Sequence, residues 1–359
     1  MSSWRKLGNI LFLSLLVMFC FLLGKHAMGD EYKDATLLAM QGGEISNEEA
    51  LKLEQQLGQN VNDLAARAKL LGYYQLESFK SKDARKARQR HILWVIQNCP
   101  GCGIASTPYS WLDPMLDGEV YYEAKALWLK QVESHKESTA IIGNAAKFFI
   151  LHDQDAAEDL LKRAKALDPR NPEWPKRLGE IYSLGMSRKP AESRKEAGAK
   201  SLEQMEETLS LTIDDNNKFY LLDELSTVAF EAGDSSKASK YASQLLQKAP
   251  QYKKDWNYGN AIHKGNLILG RVALASGKLE EAKDYLLKAG KTPGSPQLDS
   301  FGPNMTLAKE LLEKGERKVV IEYFRECGNF WQSGNDKLMN WMAIVNQGGM
   351  PNFGGNLDY

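Results

Sequence analysis

Cys99-Pro-Gly-Cys102 is the sharpest arrangement of reactive residues in this sequence. A C-x2-C spacing serves a redox dithiol, half of a zinc site, or a small local disulfide. Thioredoxin-like chemistry needs a parallel strand before the pair and a helix after it. Here "HILWVIQN" reads as a helix, and a glycine loop follows. Zinc needs two further ligands, but Cys327 is remote and no histidine lies at ligand spacing. An exported, oxidising compartment favours a local disulfide between Cys99 and Cys102 that pins the loop. Cys327 occupies a small-residue packing position and reads as a buried free thiol.

Other candidates for chemistry are sparser. His91, His135, His152 and His263 are scattered and lack an identified nucleophile or paired acid. No G-x-S-x-G, H-E-x-x-H or P-loop pattern occurs. "HDQDAAED" and "IDDNNK" lack the alternating oxygen ligands and central glycine of a calcium loop, so they read as solvated turns and caps. No catalytic residue, metal ligand or cofactor is expected. The polar stretch "NYGNAIHKGN" is different. On one helix, Ile262, Asn266, Leu269, Gly270 and Ala273 share a packing stripe, which makes Asn266 a buried hydrogen-bonding residue. Asn257, Asn260, Lys264, Leu267 and Arg271 share another stripe, with His263 beside it. That second stripe reads either as a recognition surface or as ordinary wet surface.

The elements that position these residues are helices in pairs. In "LGRVALASGKLEEAKDYLLKAGKTPG", Leu269, Gly270 and Ala273 repeat on one face, and Ala282, Leu286 and Ala289 on another. Gly277 ends the first helix; Gly290 and Pro293 end the second. The same grammar returns at Leu225, Ala229, Gly233, Ala238, Ala242 and Leu245, and again at Leu307, Ala308, Leu311, Gly315, Val320, Phe324 and Cys327. Ala145, Phe148, Ala157, Leu161 and Ala164 form another pair, and Leu178, Gly179 and Tyr182 begin one more. Small residues at a crossing let two helices approach closely.

These offsets resemble the tetratricopeptide repeat, with Leu-Gly-x2-Tyr in the first helix and Ala-x3-Phe-x2-Ala in the second. The spacing departs from the family's roughly 34 residues: Ala238 to Ala282 is 44 and Ala282 to Val320 is 38. "GNAIHKGN…TPGSPQLDSFGPNM…LAKELLEKGE" is also similar to exported bacterial repeat proteins without an assigned activity. The resemblance implies an all-α fold, a right-handed α-α superhelix of antiparallel pairs whose first helices line a concave groove. The expected organisation is an atypical N-terminal helical cap over 30–135, containing a degenerate pair at 61–97, then repeats over 138–328. A capping helix at 329–346 and a flexible tail at 347–359 complete it. The groove would collect Lys176 and Glu180, then Tyr220, Asp223 and Thr227, then the stripe from Asn257 to Arg271 with His263, then Met305 and Lys309.

Composition narrows the partner. The 359 residues carry 46 basic and 46 acidic side chains, 43% hydrophobic and 26% charged. No basic field exists to collect phosphates, which argues against nucleic acid. Mixed charges suit a peptide or protein partner. At the N-terminus, Arg5 and Lys6 precede an apolar run over 10–23, and Ala27-Met28-Gly29 offers small residues for cleavage. Residues 1–29 read as a signal peptide, with a membrane anchor as the alternative. The expectation is a non-catalytic, exported binding or scaffolding protein of the bacterial cell envelope, periplasmic or extracellular. The alternatives are an accessory for assembly or transport of envelope polymers, and a thiol-redox protein using Cys99 and Cys102.

Overall fold

The computed structural model describes residues 30–358, with side chains from residue 34 onward. The expected signal peptide or anchor therefore lies outside the described residues. Among the described residues there are eighteen α-helices and no strand, and none of those helices is long and apolar enough to cross a membrane. The chain divides into two compact units, 1–174 and 175–359.

The N-terminal unit contains α1 (Asp30–Gly42), α2 (Asn47–Gln59), α3 (Leu64–Glu77), α4 (Lys82–Asn98), the short α5 (Pro114–Asp117), α6 (Glu119–Ser134), α7 (Thr139–Phe149) and α8 (Gln154–Leu167). Their starts are written in the sequence. Ser46 accepts from the Glu49 amide and the Glu49 carboxylate reaches back to Ser46 N, closing the expected capping box. Asp63, Ser81, Ser138 and Asp153 cap α3, α4, α7 and α8 in the simpler way. Helices α1 and α3 cross at Gly42 and Gly72. A Cβ on either would run into the backbone carbonyl of Lys69 or Ala39, so the crossing exists only with glycine at both points.

A polar cluster ties α2, α3 and α4 together. Arg67 Nη1 lies 2.9 Å from His91 Nδ1, Nη2 donates to the Val61 carbonyl, and the guanidinium sits 3.6 Å over the Trp94 ring. Arginine only donates, so His91 Nδ1 accepts and its Nε2–H points at Glu54 Oε1, 2.9 Å away. Tyr74 donates to the same oxygen. The His91 hydrogen bond holds the Glu54 carboxyl down to about 2 against the opposing effect of burial.

In the second unit, α9 (Glu173–Ser183) straddles the division and is followed by α10 (Ala191–Leu211), α11 (Asp215–Glu231), α12 (Ser235–Lys248), α13 (Tyr258–Ala275), α14 (Leu279–Gly290), α15 (Pro296–Phe301), α16 (Thr306–Glu313), α17 (Arg317–Cys327) and α18 (Asn335–Asn346). Three hairpins share one turn. Gly233, Gly277 and Gly315 have φ of 82°, 76° and 86°. In each, the next residue's amide reaches back five residues, to the carbonyl of Ala229, Ala273 or Leu311. This is the Schellman closure, which needs a left-handed residue and so selects glycine. A short turn of this kind sends the second helix back along the first.

Second helices bury a repeated triad. Ala238, Ala242 and Leu245, then Ala282, Leu286 and Ala289, then Val320, Phe324 and Cys327 are all fully buried. Ala157, Leu161 and Ala164 occupy the same offsets in α8 of the N-terminal unit. Gly198, Leu202 and Met205 extend the pattern to α10. First members of the triads recur every 38 to 44 residues, longer than the tetratricopeptide period. Long helices such as the 21-residue α10 and the connections between pairs account for the excess.

The chain's end, expected as a mobile tail, is packed. Phe353 is buried against Phe324 and Trp341. Asn356 donates to the Phe301 and Pro303 carbonyls and accepts from Met305 N. Composition alone suggests mobility there, but one aromatic plug and one amide that satisfies stranded carbonyls hold the segment down.

Replacing Gly72 by Ala should destabilise the protein by about 1–3 kcal/mol, because backbone must move to admit the methyl. Gly58, near the end of α2, has open space around it. Gly58→Ala should be neutral or stabilising by up to about 1 kcal/mol. Urea unfolding of the two variants checks both signs.

Candidate functional site

One helix from each successive pair of the second unit contributes to a single ladder of charges. On α9, Lys176 and Glu180 approach to 3.8 Å. On α11, Tyr220 donates to Asp255 at 2.7 and 2.8 Å and stacks on Trp256. Asp223 Oδ1 lies 2.8 Å from the Lys264 ammonium of α13. Farther along, Arg271 bridges Glu231 of α11 and Glu310 of α16, both at 2.9 Å, and lies over the Phe230 ring. Arg194 adds a looser contact to Glu231 at 3.7 Å. Of the residues expected on this face, the structure pairs Asp223 with Lys264 and places Tyr220 and Arg271 on the same two helices, each with other partners.

The electrostatics are those of a confined surface. Burial opposes the Lys264 charge, but Asp223 and Glu224 more than offset it, so its pKa lies above the ordinary lysine value. Glu224 is pushed up to about 7, first by desolvation and then by Glu180 and Asp223, against the pull of Lys176 and Lys264. Glu310 is raised by burial and by Glu231 while Arg271 pulls it down.

Several expected surface residues prove to be interior. Asn257, Asn260 and His263 are at most 7% exposed, and Asn260 and His263 bond to the segment after α14. Asn260 donates to Asn257 and Gln297 and accepts from Ser295. Thr292 donates to the Gly259 carbonyl. His263 Nδ1–H faces the Ala289 carbonyl at 3.1 Å, and Nε2 accepts from Asn304 N at 3.2 Å. Its burial drives the pKa down to about 4, so the ring is neutral. The backbone of Gly259 also comes so close to Gly294 that no Cβ fits between them. "GNAIHKGN" and "TPGSPQLDSFGPN" are therefore two halves of one latch. Asn266 is buried as expected, its amide donating to the Ile262 carbonyl one turn earlier. Met305 is fully buried beneath the ladder's end and is no groove residue.

Sequence reasoning missed Glu224, Glu231 and Glu310. The signal was available on α11, where Tyr220, Glu224, Thr227 and Glu231 follow the 4-3-4 spacing of one helix face. Glu310 was not legible, since only packing brings α16 beside α13.

The expected Cys99–Cys102 disulfide is absent; both side chains are thiols. The tetrapeptide closes a turn in which Cys102 N donates to the Cys99 carbonyl, and Cys102 Sγ donates to the same oxygen at 2.7 Å. Asn144 of α7 fastens that turn through the carbonyls of Pro100 and Cys102. Hydrogen bonds thus do the pinning that a disulfide was expected to do. Cys327 is a fully buried thiol, as expected, and its burial raises the pKa. Among the described residues no group of three or more His, Cys, Asp or Glu side chains is placed to hold a metal ion.

No known family model matches this chain, and no curated protein is significantly similar to it.

Two outcomes follow from this geometry. Glu224 binds its proton more tightly folded than unfolded, so its contribution to stability falls as pH rises from about 4.5 to about 7. At pH 8, Glu224→Gln should be more stable than the parent by about 1–2 kcal/mol, and at pH 4 the two should match. Differencing the two melting curves removes the contribution of His263, common to both. In the folded protein, iodoacetamide should modify half-buried Cys99 first, and Cys102 and Cys327 only on unfolding; peptide mapping reads the order.

Proposed function

We propose that this chain is a tetratricopeptide-like, right-handed superhelical scaffold that is exported to the bacterial envelope. It binds a peptide or a protein without catalysis. The binding surface is the first-helix face of the second unit, around Tyr220, Asp223, Thr227, Lys264 and Arg271. One observation carries the reading: α9, α11, α13 and α16 each place polar side chains on one continuous ladder. Stacked helix pairs produce such a surface as a by-product of covering each other's apolar stripes, and half-buried, mixed charges with aromatics suit side-chain recognition.

The ladder's own pairing decides how the surface is probed. Lys264 and Arg271 are not loose surface charges. Arg271→Glu would set a third carboxylate between Glu231 and Glu310, and should destabilise the unit by about 3 kcal/mol or more. A change there tests folding before it tests binding. Thr227 is better placed, being half-buried on the face with only a hydroxyl bond to the Asp223 carbonyl. A photo-reactive benzoylphenylalanine at Thr227 should cross-link to a defined partner from envelope extract. The same group at Lys240, exposed on the second helix α12, should not. Equal labelling from both positions would remove the face as the binding surface.

A further inference from the structure

Glu224 stands apart from the other charges of the ladder. Lys264 is committed to Asp223, and Arg271 to Glu231 and Glu310. Among the described residues the Glu224 carboxylate has no hydrogen-bond or ion-pair partner, although it lies among Glu180, Asp223, Lys176 and Lys264. It is half-buried and within reach of solvent. Tyr220 precedes it by one helical turn, so both project from the same face of α11. The Tyr220 ring stacks on Trp256 at 5.9 Å, and its hydroxyl is held by Asp255. Acids outnumber bases along the ladder as a whole.

We infer that Glu224 is the seat for a lysine or arginine side chain of the bound peptide, flanked by Glu180 and by the Tyr220–Trp256 stack. The inference rests on the reading of this face as peptide-binding and names the chemistry recognised there. A carboxyl crowded by two other acids and left unpaired is a cost that an incoming cation removes. Aromatic faces beside the carboxylate add attraction for an ammonium or guanidinium. An acidic side chain meets the opposite situation, because it would bring a further like charge to Glu180, Asp223 and Glu224. The raised pKa of Glu224 agrees with this account and gives it a pH signature. The carboxyl ionises as pH rises through neutrality, so a cation should be held more tightly at pH 8 than at pH 6. Lys264, held above the ordinary lysine value, keeps its charge throughout that interval and opposes the cation equally at both ends.

Panning the immobilised full chain against a phage-displayed library of random dodecapeptides tests the assignment. Selected sequences should be enriched in lysine or arginine at one position. A synthetic copy of a selected peptide should bind at least tenfold more weakly to Glu224→Gln, a variant expected to fold at least as stably as the parent at pH 8. Acetylating the peptide's lysine, or exchanging its arginine for citrulline, should cost as much, and affinity should rise severalfold from pH 6 to pH 8. Thr227→Trp, which fills the face, separates the two levels of the reading. Selected peptides that are acidic or uncharged, bind Glu224→Gln normally, and are lost with Thr227→Trp would overturn the assignment and leave the face intact. Failure to select any peptide that Thr227→Trp displaces would overturn both.

Discussion

Every paired helix in this protein has an apolar stripe that it cannot cover alone, and the architecture is the way those stripes are closed. The buried triads of α12, α14 and α17 show the constraint most directly. Ala238, Ala282 and Val320 open them, and Leu245, Ala289 and Cys327 close them, all without solvent contact. The small members let neighbouring backbones approach, and the large ones, Leu245, Leu286 and Phe324, fill the space this leaves. Gly270 illustrates the balance. A Cβ there would crowd Leu307 of α16 and Tyr285 of α14, so one missing methyl admits side chains from two neighbours.

Regular stacking leaves gaps wherever a connection is long, and polar latches fill them. The segment between α14 and α16 carries three prolines and two glycines in "TPGSPQLDSFGPN", which would ordinarily wander. Asn260, His263 and Asn356 each satisfy backbone or side-chain groups of that segment, and Thr292 within it donates back to the Gly259 carbonyl of α13. Buried amides and a neutral imidazole suit the task because they supply donors and acceptors at fixed geometry without charge desolvation. In the N-terminal unit, Arg67, His91 and Glu54 hold three helices by the same logic with charge added. Asn144 does the equivalent for the Cys99–Cys102 turn.

The first-helix face results from the same packing, since one stripe of each helix must turn away from the pair's interior. Its charges are mostly spent on each other. Bridging by Arg271 between α11 and α16 ties three repeats together and fixes the spacing of the whole ladder. If this face binds a peptide, as proposed, recognition falls to the groups that pairing leaves over, Glu224 before the more conspicuous Lys264 and Arg271. Intramolecular pairing also makes the face rigid, lowering the ordering cost a flexible polar surface would incur on binding.

The helical repeat was legible because it is local. Periodic small residues, Schellman glycines at Gly233, Gly277 and Gly315, and caps such as Ser46 with Glu49 act within one or two turns of chain. Tyr220, Asp223, Lys264 and Arg271 could be grouped for a related reason: residues on equivalent helix stripes face alike once pairs stack. What a stripe faced was not legible. Asn257, Asn260 and His263 look like surface residues by type, yet all three are buried, and the segment after α14 that bonds to Asn260 and His263 lies 37 to 41 residues away. The tail was misjudged for the same reason, its order resting on Asn356 and on carbonyls more than fifty residues earlier. Periodicity determines which residues share a face; only the tertiary structure decided which faces met solvent, because cover comes from segments whose sequence distance carries no information about their spatial distance.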